Sequence, residues 1–167
     1  MTLETDPHIN TENVMNAPNR SQFVYVTYIR TTPARLWEAL TDPQFIRQYW
    51  FNTTTSCDWK KGSTWKMILP DGTLTDSGQI LEIDPPRRMV IAWQNEWKPE
   101  LKAEGPSRCT IELEPVDSSV KLTVIHEIDR PSSDFITAVS GGWPRILSNL
   151  KSLIETGDVA ITSHPGH

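Results

Sequence analysis

A chain of 167 residues is the size of a single domain and long enough to bury one substantial core. Its formal charge of −5 and pI near 5.3 leave no surplus of Lys and Arg to neutralise a phosphate backbone or an anionic membrane surface, so neither nucleic acid nor a bilayer is an expected partner. The two cysteines, Cys57 and Cys109, are too few and too far apart for a disulfide framework or a zinc site and are expected to be free thiols.

Residues 1–20 are polar and aperiodic and lack the basic-then-apolar order of a secretory leader; they read as a flexible N-terminal tail on a cytoplasmic protein. The segment QFVYVTYIR (22–30) is β-branched and aromatic throughout and reads as the first strand. Two short helices follow. Thr32 can cap the first with Pro33 at its opening position, and Asp42 with Pro43 repeats the arrangement for the second. Segments 53–59, 63–69, 75–83, 88–97, 107–116 and 119–128 then carry strand signals. Turns such as LPDG (69–72) join them, and Pro85 and Pro86 forbid a central strand between two of them. Consecutive strands with tight connections form an antiparallel meander. A long helix is expected from Ser133 or Asp134, with Pro144 as a kink or restart and Gly157 as its stop. The sequence thus reads as one domain over 21–157, with a second flexible tail at 158–167. Its class is α+β, with a single curved antiparallel sheet of six to seven strands.

Alternation assigns the faces of that sheet. Trp65, Met67 and Leu69 oppose Thr64 and Lys66, while Met89, Ile91, Trp93 and Trp97 oppose Val90, Ala92, Gln94 and Glu96. Cys109, Ile111 and Leu113 share a face, as do Val120, Leu122, Val124, His126 and Ile128. His126 therefore points inward. In 75–83 the parities of Ile80 and Ile83 disagree, which is the mark of a bulge. On the long helix, Trp143, Ile146, Leu147, Leu150, Leu153 and Ile154 form an apolar stripe that the oily sheet face can cover.

The segments TTPARLWEALTDPQFIRQYW, GQILEIDPPRRMVIAW, LTVIHEI and GGWPRILSNLKSLIETG occur in an order that resembles the superfamily of lipid-transfer START domains, the pollen allergen Bet v I and polyketide cyclases. The resemblance covers roughly residues 22–157 and is closest to the activator-of-heat-shock-protein-90-ATPase-like domain. It implies a helix-grip fold, with a deep cavity between the sheet and the C-terminal helix, and the binding of a small hydrophobic or aromatic molecule there. A cofactor-free cyclase or aromatase activity is a first alternative. A co-chaperone-like module that stimulates a heat-shock ATPase is a second.

Trp is as frequent as Phe and Tyr together, seven residues against four and three. Trp65, Trp93 and Trp143 fall on inward faces with Met67 and Met89 beside them, a composition suited to flat apolar ligands. With the fold that the resemblance implies, Ile91, Ile111, Leu122, Val124, His126 and Leu147 complete the expected cavity wall, and Trp37, Tyr49 and Trp50 are expected at its mouth. The bland reading of all these residues is a packed core. His126 is a weak candidate for acid-base work, in a set with Tyr28, Tyr49 or Asp76, and a structural role satisfied by a neighbour is preferred. Phosphate loops, nucleophile elbows and metal-ligand spacings are absent, and His8, His164 and His167 lie in the expected tails, so no metal or cofactor is expected. A homodimer is compatible with the exposed sheet edges.

Overall fold

The computed structural model describes residues 14–17 and 19–163 and has an eight-stranded antiparallel sheet that wraps a C-terminal helix. In chain order the elements are β1 (Val14–Ala17), β2 (Arg20–Ile29), α1 (Pro33–Thr41), α2 (Pro43–Tyr49), β3 (Thr54–Cys57), β4 (Thr64–Ile68), β5 (Leu74–Asp84), β6 (Arg88–Asn95), α3 (Pro99–Lys102), β7 (Ser107–Val116), β8 (Ser119–Ile128) and α4 (Asp134–Thr156). The strand order β1-β2-β8-β7-β6-β5-β4-β3 contains the expected meander from β3 to β8, with β2 returning to pair with β8. The helix-grip architecture is present.

The helix starts obey their capping chemistry. Thr32 Oγ1 accepts the Arg35 N–H at 3.2 Å and Asp42 Oδ1 accepts the Gln44 N–H at 2.8 Å, each followed by Pro where a missing N–H does no harm. Ser133 caps α4 through Ile136 N–H at 3.0 Å, and Glu104 adds a carboxylate to the same helix end by accepting the Asp134 N–H at 2.9 Å. Gly157 ends α4 in the left-handed conformation at φ 91°, as its position after the apolar stripe requires. Pro144 neither restarts nor divides the helix, which runs unbroken from Asp134 to Thr156.

The register reproduces the faces expected for β4, β6, β7 and β8, except that Trp97 lies past the end of β6 and is exposed, and it fixes the face of β2, which alternation left open. Phe23 lies opposite His126 and Ile29 opposite Val120, so β2 presents Phe23 and Ile29 to the core while Val26 and Tyr28 are exposed outside. The conflict between Ile80 and Ile83 is resolved by a register shift between Ile80 and Glu82 that turns both isoleucines toward the core.

Both expected tails need correction. Val14–Ala17 pairs with Phe23–Arg20 as an additional edge strand, so part of the polar stretch belongs to the sheet, whereas residues 1–13 and 18 lie outside the described residues. At the other end, residues 158–163 fold back along α4, and residues 164–167 lie outside the described residues. The buried Asn149 amide makes the fold-back possible: its Oδ1 accepts the Ile161 N–H at 2.7 Å and its Nδ2 donates to the Ile161 carbonyl at 2.8 Å. A buried polar side chain beside the apolar stripe thus pairs with the returning chain as a strand would.

Candidate functional site

The inner face of the sheet and the N-terminal half of α4 meet in an aromatic cluster. β4 supplies Trp65 and β6 supplies Trp93, with their ring centroids 4.3 Å apart. Neither strand pairs with the other; both flank Gly78 of β5, which stands opposite Trp65 on one side and Trp93 on the other. Gly78 has no side chain to hold the two rings apart. A Cβ built there would lie 1.6 Å from the Ala92 carbonyl oxygen, so the glycine is required by close backbone approach as well.

From α4, Trp143 meets Trp93 edge to face at 5.8 Å, and from the end of α2, Trp50 stacks on Trp93 at 6.2 Å and meets Trp143 edge to face at 5.3 Å. Two of these rings are fixed by their N–H groups. Trp93 Nε1 donates to Asp76 Oδ1 at 2.9 Å, and Trp143 Nε1 donates to His126 Nδ1 at 3.1 Å. Trp50 is half-buried, and its indole N–H has no hydrogen-bond partner among the described residues. Directly after it, Phe51 and Asn52 both adopt left-handed backbone conformations, at φ 48° and 64°, a strained setting for Phe51 in particular.

His126 is the centre of a determined hydrogen-bond chain. An indole N–H can only donate, so Nδ1 must be the acceptor and the ring proton must sit on Nε2. Ser107 Oγ lies 2.9 Å from Nε2 and 2.9 Å from the Trp93 carbonyl. Its hydroxyl proton goes to that carbonyl, which cannot itself donate, and its oxygen accepts the imidazole N–H. The run Trp143 → His126 → Ser107 → Trp93 leaves the imidazole neutral with both nitrogens in use. Complete burial pulls its pKa down to about 3. Burial likewise raises the Asp76 carboxyl above the usual range, against the lowering effect of the Trp93 and Thr75 hydrogen bonds.

Between the rings lies a cavity of about 30 Å³. Of the expected wall, Trp65, Met67, Met89, Ile91, Trp93, Ile111, Trp143 and Leu147 line it, and of the expected mouth, Tyr49 and Trp50 do. Leu122, Val124 and His126 are buried on the same sheet face but do not line it, because their strand lies beyond β7 and beneath Phe135 and Trp143. Trp37 is half-buried against the core and is not part of the lining. The cavity is an order of magnitude below the roughly 300–1,000 Å³ of ordinary ligand pockets, which corrects the expectation of a deep one. The indoles themselves fill the space. At the far end of the stripe Leu150 is fully buried, while Leu153 and Ile154 are only half-buried.

Sequence reading did not find Thr55 and Trp59 in the lining, nor Ser107 as the partner of His126. Thr55 was legible in principle: β3 pairs it with Met67, whose inward parity it must share. Ser107 was not, since nothing in the spacing of 107 and 126 signals the register that joins β7 to β8. The acid-base set is not assembled. Tyr28 is exposed on the outer face, and the Tyr49 hydroxyl donates to the Ala39 carbonyl at 2.8 Å, with burial holding its pKa up. His126 has no free lone pair. A second depression of about 560 Å³ lies open to solvent beside Arg47, Asn52 and Pro70, with no converging chemical groups. Among the described residues no cluster of His, Cys, Asp and Glu is arranged to hold a metal, and no helix is long and apolar enough to cross a membrane.

The architecture recurs in solved structures. CalU16 from Micromonospora echinospora is 23% identical, with a TM-score of 0.66 over 87% of this chain and 84% of that one. An HSP90 activator from Plasmodium falciparum is 21% identical, with a TM-score of 0.65 over 79% of this chain and 94% of that one. The Aha1 dimer from Colwellia psychrerythraea is 20% identical, with a TM-score of 0.67 over 81% and 97%. At these identities the likeness is one of fold. No curated protein sequence matches at a significant level. The family model described as Activator of Hsp90 ATPase homolog 1-like protein matches residues 30–155, from the end of β2 through α4, and the chain belongs to that family.

Proposed function

We propose that this protein binds a small, flat hydrophobic or aromatic molecule between the sheet and α4, and that the ligand enters by displacing Trp50. The observation that carries this reading is the difference among Trp93, Trp143 and Trp50, three indoles that contact one another. Trp93 and Trp143 are held by N–H bonds, whereas Trp50 lies on both of them with no such bond and is followed by a left-handed pair of residues. Trp50 occupies the place a planar ligand would take, and its removal would enlarge a cavity that is otherwise too small for an aromatic guest. A mobile plug on a fixed aromatic platform is an economical receptor for rings.

Titration with flavonoids, aromatic polyketides and fatty acids, read by tryptophan fluorescence and melting temperature, tests this. A planar member of the panel is expected to quench the emission saturably and, at about 100 times its Kd, to add about 2.7 kcal/mol of stability. Trp50→Ala is expected to bind that compound about tenfold more tightly, because the ligand no longer competes with a stacked ring contributing about 0.5–1.5 kcal/mol. Silence of both proteins towards the whole panel would reject the reading.

A second reading, stimulation of a chaperone ATPase, rests on the family and on a solved relative described as an HSP90 activator. Its test is the hydrolysis rate of a purified heat-shock ATPase with and without this protein; an unchanged rate counts against it. The cyclase reading has less support, since His126 has neither a free nitrogen nor access to the cavity.

A further inference from the structure

The cavity wall contains one hydroxyl whose position packing alone does not explain. Thr55 sits on β3 opposite Met67, faces inward, and is only 7% exposed. Its Oγ1 is buried and has no hydrogen-bond partner among the described residues. The nearby Thr75 shows what a satisfied hydroxyl in this sheet looks like: its Oγ1 donates to the Met67 carbonyl at 3.3 Å. Thr55 cannot do the same across an interior lined by Leu40, Ile46, Trp65 and Met67. A buried polar atom left without a partner is destabilising, and valine would fill the same volume without that cost. The surroundings do not suit a water molecule in its place. A buried water needs two to four polar partners; the Tyr49 hydroxyl and the Trp93 and Trp143 N–H groups are committed elsewhere, and an indole N–H such as that of Trp50 offers a donor but no acceptor.

We propose that Thr55 Oγ1 is the specificity-determining contact of the site, selecting planar aromatic molecules that carry one hydroxyl or carbonyl over the same ring systems without it. The inference rests on the binding reading above and adds the chemical class of the guest. A hydroxyl both donates and accepts, so either a phenol or a ketone on the ring edge satisfies it. The ring itself lies where Trp50 lies now, against Trp93 and Trp143. Thr55 begins only five residues after Trp50, across the left-handed pair, so the same short segment carries the plug and the polar contact.

The test uses a matched pair of probes, 1-naphthol and naphthalene, titrated into the full chain and into its Trp50→Ala variant with fluorescence and calorimetric readouts. The expected result is about a tenfold preference for 1-naphthol, the factor given by one net hydrogen bond. Thr55→Val is expected to abolish that preference by weakening 1-naphthol alone, while its melting temperature stays level or rises; Thr55→Ser is expected to retain the preference. Thr55→Ala serves in place of valine if the branched side chain disturbs the fold. Equal binding of the two probes, or an unchanged preference in Thr55→Val, would overturn the role of Thr55 while leaving the pocket reading intact. Failure of both probes to bind either the parent chain or Trp50→Ala would remove the pocket reading and this inference together.

Discussion

A single methyl group added at Gly78 is expected to destabilise the protein by about 3 kcal/mol, the upper end of what overpacked cores cost. The obstacle is backbone and cannot rotate away: the added carbon would sit 1.6 Å from the Ala92 carbonyl oxygen, so β5 and β6 would have to separate. The same change would part Trp65 from Trp93, whose rings touch across the glycine. Chemical denaturation of Gly78→Ala checks the magnitude, and near-ultraviolet circular dichroism checks the cause, because the coupled indole signal should diminish in the folded variant. A variant with parental stability and an unchanged aromatic spectrum would show that the close approach is not obligatory.

Loss of the imidazole at position 126 is expected to be comparably severe. His126→Ala leaves a cavity and strips the Trp143 N–H of its acceptor, so a loss of about 3–5 kcal/mol is expected from the two effects together. The protonation behaviour gives a second handle. With a folded pKa near 3 and an unfolded one near 6.5, the unfolded chain takes up a proton that the folded chain refuses. Stability from this residue is therefore complete above about pH 6.5 and declines by about 1.4 kcal/mol per pH unit as the pH falls towards 3. His126→Gln can preserve both hydrogen bonds without that titration. The stability difference between parent and His126→Gln should shrink steadily with acidification if the parent is the more stable at neutral pH; parallel pH profiles would contradict the assignment.

Where sequence and structure agree, the reason is local chemistry. Thr32, Asp42, Ser133 and Gly157 end helices by bonds that span two to four residues, and strand alternation is enforced residue by residue, so both were legible. The bulge after Ile80 was legible too, since a clash of parity has few solutions. What was not legible depends on register or on volume. Val14–Ala17 has no strand signature of its own and is recruited by the free edge of β2. Asn149 falls outside the apolar stripe by spacing, and its burial depends on residue 161 returning to meet it. The size of the cavity depended on whether Trp50 stands inside the box or beside it. Inward aromatics could be named from parity, but a ring that fills a space and a ring that surrounds one have the same parity.

The placement of β2 beside β8 also constrains how the chain assembles. From β3 to β8 each strand pairs with its successor, but Gln22 and Glu127, which bond across β2 and β8, are 105 residues apart. Closing so long a loop costs about 3 kcal/mol more in chain entropy than closing a four-residue hairpin turn. The expected order of events is therefore hairpins among β5 to β8 first, with the N-terminal strand docking after the barrier. Truncating Phe23, which is wholly buried in β2, should then accelerate unfolding and leave the refolding rate nearly unchanged; slowed refolding would place β2 in the nucleus instead. On that order, the aromatic platform on β4, β6 and α4 can assemble before the strand that completes the sheet has arrived.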